Sequence, residues 1–297
     1  MRNRPLHGVF WMVLTGLCFV GVAAVVKHLG GRVPAAQAAF LRYVLGLVFL
    51  IPMIKPMLDE GLDARGWKMF GLRGVVHSLG VTTWFFAMGI LPVAEVTAMN
   101  YLAPVLVTIG AAIFLGEKLA ARRIAAVVVA MVGVLVILRP GFREVGLAHL
   151  AMLFTATMFA AGYLIAKVMA DRVSPTMVVG MLSITVTIGL APMALAVWET
   201  PTMADLGWLF VVAALATAGH YTMTFAFREA PVTVTQPVTF LQLVWATLVG
   251  LLIFNEPLDG FVILGGGLIL GAVVYIAWRE AQRARAVTPP APATKTP

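Results

Sequence analysis

Ten apolar blocks, each close to the length at which an α-helix crosses a bilayer, fill this chain from Gly8 to Trp278: residues 8–28, 35–55, 69–90, 95–115, 122–139, 147–167, 176–198, 206–227, 233–254 and 261–278. A hydrocarbon core about 30 Å thick takes roughly 20 residues of helix. Lipid offers no hydrogen-bond partners, so a backbone inside it must satisfy its own N–H and C=O groups, and runs of this length do so as helices. Only 11% of the residues are charged, against about a quarter in a soluble domain. The connections between blocks leave no room for such a domain. The chain is therefore read as an all-α membrane protein with ten transmembrane helices. Arg2 and Arg4 before an apolar run have the outline of a secretory signal, but the run continues to Val26 and has a counterpart at 147–167. It is read as the first membrane helix. The single cysteine, Cys18, excludes an intrachain disulfide.

The same unit is written twice. Glu117 in LGEKL and Glu256 in FNEPL are 139 residues apart, as are Gly80 and Gly219, Phe86 and Phe225, and Pro92 and Pro231. Nearer the start the offset is 140, linking Lys27 to Lys167, Arg32 to Arg172 and Pro52 to Pro192. Each copy holds five blocks, an odd number, so the second repeat lies inverted relative to the first. Fifteen Lys and Arg fall on the side shared with the termini and four on the other, which predicts that both termini are cytoplasmic. The net charge of +8 reflects this topology and calls for no nucleic-acid partner. The expected organisation is a cytoplasmic N-terminus over 1–7, one five-helix repeat over 8–139 and its inverted copy over 147–278. A disordered cytoplasmic tail over 279–297, rich in Pro, Ala and Thr, follows. Inverted repeats suit alternating access, with a substrate site near the midplane between the copies.

Residues 104–137, PVLVTIGAAIFLGEKLAARRIAAVVVAMVGVLVI, resemble the fourth and fifth helices of an EamA-type domain of the drug/metabolite transporter superfamily. A proline-containing helix ends there in a small residue and Glu, and a short linker opens a Gly-containing helix. Residues 243–276 repeat the pattern, with Asn255 in place of the Gly and Pro257 in place of Lys118; FLRYVLGLVFLIP at 40–52 resembles the second helix, Arg42 included. The resemblance covers 8–278, and within the family it is to bacterial amino-acid exporters, including aromatic ones. It implies a multi-pass protein of the bacterial inner membrane, with a small-molecule substrate and the bilayer as its partners; a monomer is compatible with this. It also implies a cavity lined by blocks 1, 3, 4, 6, 8 and 9, with blocks 5 and 10 as peripheral scaffold.

Polar side chains within such blocks are the candidates for function, because in hydrocarbon each needs a partner or water. Asn100, Pro104, Thr108 and Ala111 share one face of the fourth helix, with Tyr101 adjacent; Thr235, Thr239, Gln242 and Ala246 share one face of the ninth. His77 and Trp84 lie on one face of the third block, His220 and Tyr221 in the eighth, and Tyr163 in the sixth. Asn100, Tyr101, His77, Trp84, Tyr163, His220, Tyr221, Thr239 and Gln242 are thus the expected substrate-binding residues. Helix–helix hydrogen bonding and interfacial anchoring are the alternatives for them. Pro104 and Pro237 each free a carbonyl and permit a kink. With Glu117 and Glu256 they are read as hinge or structural residues, the glutamates capping helices or pairing with cations such as Arg122 and Arg123. Arg42 and Arg73 fall near the membrane edges by these boundaries, where snorkelling or salt bridges would occupy them.

No metal-ligand spacing, nucleophile triad or pair of carboxylates is present, so an enzyme is not expected, and neither is a cofactor. No charged ring or carbonyl filter marks a channel. Away from their ends the blocks hold no Asp or Glu, with Glu95 the closest, and a proton pump usually carries one. The reading is an alternating-access transporter that exports or facilitates small neutral or zwitterionic metabolites, amino acids including aromatic ones, without tight proton coupling. A proton-coupled drug or metabolite exporter using Glu95, His77 or His220 is the alternative.

Overall fold

The computed structural model describes residues 5–116, 121–142, 144–170, 172–230, 235 and 238–287. Glu117 and Pro237, expected at hinges, lie outside the described residues. The first crossing, α1 (Pro5–Leu29), stops at Gly30, whose φ of +53° is a left-handed turn that glycine adopts readily. The second is assembled from α2 (Ala35–Gly46), a 3-10 turn (Leu47–Leu50) and α3 (Ile51–Glu60). Pro52 has no N–H to return to Val48, which loosens the ladder at this junction. α4 (Ala64–Ile90) begins earlier than the apolar pattern suggests, because the Asp63 carboxylate accepts from Gly66 N at 2.6 Å and caps it. The fourth crossing is split at Tyr101 into α5 (Val93–Asn100) and α6 (Leu102–Leu115).

The remaining helices are α7 (Ala121–Leu138), α8 (Leu147–Ala170), α9 (Pro175–Ala196), α10 (Met203–Glu229), α11 (Phe240–Phe254) and α12 (Gly260–Val287). α6 and α11 end alike, in left-handed residues, Gly116 (φ +69°) and Asn255 (φ +54°). Asparagine tolerates that conformation better than other side chains do, which accounts for this substitution between the repeats. Seven of the described helices are long and apolar enough to span a bilayer. The other three crossings are the shorter α7 and α11 and the arginine-bearing α4. α12 also continues past Trp278 to Val287, where an unstructured tail is expected. The segment REAQRARAV has no Gly or Pro and is rich in strong helix formers.

The two copies interlock. α1 packs chiefly along α10, and α4 along α8. Thr15 Oγ1 lies 2.9 Å from Thr222 Oγ1, and Thr83 Oγ1 lies 2.7 Å from Thr155 Oγ1; Thr15 recurs as Thr155, and Thr83 as Thr222. α7 and α12 cross outside this assembly, with apolar residues such as Val132, Leu135, Phe261 and Leu264 exposed on their outer faces. Their backbones touch at two glycines. A Cβ on Gly133 would meet the Gly265 carbonyl oxygen at 2.6 Å, and a Cβ on Gly265 would meet that of Gly133 at 2.5 Å.

At the face opposite the termini, polar contacts tie the copies together. Glu256, between α11 and α12, pairs with Lys27 at 2.5 Å and accepts from Val93 N, at the start of α5, at 2.9 Å. Lys27 donates as well to the Leu91 carbonyl at 2.7 Å. The cation of Glu256 is therefore on α1, its spatial neighbour, and not among the residues that follow a glutamate in sequence, as Arg122 and Arg123 follow Glu117. Arg139 pairs with Asp259, and Gln37 exchanges hydrogen bonds with the Glu199 backbone at 2.6 and 2.9 Å.

Candidate functional site

Polar and aromatic groups converge on His77, near the middle of α4. Its Nε2 is 3.1 Å from the Tyr43 hydroxyl on α2, and its ring stacks on Phe159 of α8 with centroids 4.8 Å apart and planes inclined by 25°. Gly162 also faces this ring, where a Cβ would lie at ordinary contact distance, 3.8 Å, from His77 Nδ1. Tyr163 follows on α8, its ring 6.5 Å from that of Phe159. Tyr163 is 47% exposed and yet deep in the bundle, the combination found on a cavity wall. His220 of α10 is likewise exposed but enclosed, and meets Phe19 of α1 edge-on at 5.2 Å. Phe19 and Phe159 are repeat mates, so each copy sets a phenylalanine against a histidine of the other.

Two arginines belong to this group. The Arg42 guanidinium lies 4.1 Å from the centre of the Tyr43 ring. Arg73 is buried, donating from one terminal nitrogen to the Val178 carbonyl on α9 at 2.8 Å, while its Nε has no partner. Arg73 lies four residues, about one helical turn, before His77 on α4, and Arg42 directly precedes Tyr43 on α2. Because α4 starts at Ala64, Arg73 is more than two turns inside it, roughly 14 Å along the axis. Tyr43 and Phe159, together with the two arginines, are the residues of this group that the sequence reading did not select as substrate-binding. A signal for the arginines was available: their repeat mates are Leu182 and Val212, so copies that otherwise match differ here by a full charge.

A second group lies where the broken crossings meet. The Tyr101 hydroxyl donates to the Thr239 carbonyl at 2.9 Å, joining the α5–α6 break to the residue that precedes α11. Asn100 beside it has a buried Oδ1 without a partner. Gln242 packs over Gly16 of α1, where a Cβ would lie 3.6 Å from its own. The structure thus gathers His77, Tyr163 and His220 in one group and Asn100, Tyr101, Thr239 and Gln242 in another. Trp84 sits two turns from His77, half-buried against the core and edge-on to Phe85. Tyr221 is 51% exposed. Among the described residues, neither Trp84 nor Tyr221 hydrogen-bonds to either group. Glu95, buried, is 3.0 Å from His149 Nε2, and Gly146 N donates to His149 Nδ1 at 3.1 Å. The Nδ1 position thereby accepts, leaving Nε2 to carry its hydrogen toward Glu95.

Comparison with known proteins agrees with this architecture. A riboflavin transporter of Rhizobium johnstonii is 32% identical over 95% of this chain and 95% of its own length. An S-adenosylmethionine uptake transporter of Rickettsia prowazekii is 27% identical over 93% of this chain and 94% of its own. A riboflavin transporter of Vibrio cholerae is 26% identical over 96% and 97%. A crystal structure at 17% identity superposes with a TM-score of 0.59 over 97% of this chain and 99% of that one, a likeness of fold alone. The pattern of the EamA-like transporter family matches residues 6–139 and again 146–278. This chain is a multi-pass membrane transporter and belongs to the EamA-like transporter family.

Proposed function

We propose that this chain is an alternating-access carrier for small metabolites built on a planar aromatic ring. The observation that carries the reading is the stack of His77 on Phe159, 4.8 Å apart, in a wall shared with Tyr43 and Tyr163. A flat π-rich surface with hydroxyl and imidazole edges suits a ring that has polar atoms on its rim. Riboflavin has that form, and the identity to a riboflavin transporter along nearly the whole chain supports a flavin-like ring as the first class. Aromatic amino acids, implied by the resemblance to exporters, form the second reading, which the nearby Arg42 and Arg73 favour through the amino-acid carboxylate. The word uptake in the name of the Rickettsia relative supports import over export.

The inverted repeat supplies the two states, and the Lys27–Glu256 contact holds one face together in the state described. With cytoplasmic termini, as the basic residues predict, that face is the outer one. Movement down a gradient without tight proton coupling fits a pocket whose walls carry histidines and arginines but none of the described carboxylates.

Saturable uptake of labelled riboflavin and tryptophan into proteoliposomes, accelerated by the same solute preloaded inside, is the expected result. Phe159→Ala should weaken it about 2–10-fold, from an aromatic contact worth about 0.5–1.5 kcal/mol. Flux that neither saturates nor shows counterflow would sink the carrier reading, and uptake driven mainly by an imposed pH gradient would sink the uncoupled one.

A further inference from the structure

We infer that the pocket around His77 takes substrates bearing an anionic group, a carboxylate or a phosphate, which docks on Arg42 and Arg73 while the ring of the same molecule lies against Phe159. The inference rests on the carrier reading above and narrows its substrate class. An ionised guanidinium inside a membrane protein requires a partner, because desolvation strips away its water. Elsewhere this chain meets that requirement with carboxylates: Lys27 has Glu256, Arg139 has Asp259 and Arg32 has Asp205. Arg42 and Arg73 have none among the described residues. Apart from Glu280, past the last crossing in α12, every described Asp and Glu lies in a loop or within the terminal turn of a helix, and none stands in the middle of α2, α4, α8 or α10, which carry this group.

The arginines also have donors to spare. Arg73 spends one terminal nitrogen on the Val178 carbonyl, and its Nε is buried with no partner. Arg42 faces the Tyr43 ring, a contact that uses the guanidinium plane and leaves its N–H rim free. A planar fork of donors matches a carboxylate or phosphate, which accepts two parallel hydrogen bonds and supplies the missing charge. The fold itself does not need these cations. The second copy builds the matching helices with Leu182 and Val212 in their places. Tyr43 links the charge to the ring wall, since it lies under Arg42 and bonds His77, which stacks on Phe159. Solutes whose only charge is positive are repelled by the same arrangement.

The test is ligand-induced thermal stabilisation of the purified full-length chain by two ring-matched pairs: flavin mononucleotide against riboflavin, and indole-3-propionate against indole-3-propionamide. The anionic member of at least one pair should act at a concentration at least tenfold lower than its neutral mate. Which pair responds tells phosphate from carboxylate. Arg42→Gln and Arg73→Gln should each reduce the preference below threefold, and Arg73→Lys should keep most of it. Should Arg73→Gln not fold, Arg42→Gln, at a partly exposed position, decides alone. Equal action within both pairs, no stabilisation by either anion, or a preference that survives Arg42→Gln overturns the inference. Acetate and inorganic phosphate separate this result from the ring reading. If they stabilise the chain as well as the ring-bearing anions do, and lose that effect in Arg42→Gln, the ring reading fails while the anion site stands.

Discussion

The hydroxyls of Thr83 and Thr155 stand 2.7 Å apart between α4 and α8, and their repeat mates Thr222 and Thr15 stand 2.9 Å apart between α10 and α1. Each pair joins one copy to the other at positions related by the repeat. Hydrogen bonds between membrane helices contribute about 0.6 kcal/mol on average and about 1.7 at most. Thr83→Val and Thr155→Val should each destabilise the chain within that range. The double variant should cost less than the two single losses added together, as a double-mutant cycle by thermal or denaturant unfolding in detergent would measure. Strict additivity would mean that the two hydroxyls do not interact.

The contact between Lys27 and Glu256 should behave differently, because both side chains are largely buried and the carboxylate also serves Val93 N. Removing one partner of a buried pair typically costs about 3–5 kcal/mol. Lys27→Met and Glu256→Gln should therefore each lower the melting temperature clearly. Exchanging the charges, Lys27→Glu with Glu256→Lys, should restore only part of the loss, because the new lysine cannot accept from Val93 N. Full restoration would show that the backbone bond contributes nothing.

At the outer crossing of α7 and α12, Gly133→Ala should destabilise by about 1–3 kcal/mol, the usual cost of overpacking. Its Cβ would meet a backbone oxygen at 2.6 Å, and neither helix can yield without moving the other. Gly267→Ala, on the partner helix α12, is the control: its Cβ has no neighbour within 4 Å, and helix propensity alone should make it neutral or stabilising by up to about 1 kcal/mol. Substrate affinity should stay as it is in both variants. A shift in affinity with Gly133→Ala would connect the scaffold to the pocket.

Tyr43→Phe probes the pocket without changing its shape. It removes the hydroxyl 3.1 Å from His77 Nε2 and leaves the ring that Arg42 faces. The apparent affinity for ring-bearing solutes should fall by about 5–10-fold, as expected for a lost hydrogen bond worth about 1 kcal/mol. Uptake titrations in proteoliposomes would measure this, and an unchanged half-saturation concentration would remove Tyr43 from the site.

The helix count and the duplication were legible because membrane helices announce themselves by length and by apolar content. Which glycines let two backbones touch shows only in the fold, where Gly133 meets Gly265 while Gly267 and Gly271 face open space. The pocket was less legible. His77, Tyr163 and His220 stood out as polar groups in apolar runs, but Phe159 is one apolar residue among many in α8, and only the fold reveals that it faces His77. The apolar run was taken to start at residue 69, whereas the Asp63 cap starts the helix at Ala64 and leaves Arg73 more than two turns inside it. Tyr101 was read as a substrate contact; its hydroxyl reaches the Thr239 carbonyl, a pairing between distant segments that no local pattern encodes.

The split at Tyr101 has a consequence for motion. Pro104 has no N–H to offer the Asn100 carbonyl, and α5 ends there as a separate rod from α6. A carrier that reorients by bending a continuous helix must first melt a turn of it in a medium with no water to replace the lost bonds. Here one such bond is already missing at rest, and the Tyr101 N–H turns to the Ala98 carbonyl at 3.3 Å, so bending at this point breaks fewer helical bonds. The fourth crossing is thus built as a jointed strut, anchored at its α5 end by the bond from Val93 N to Glu256.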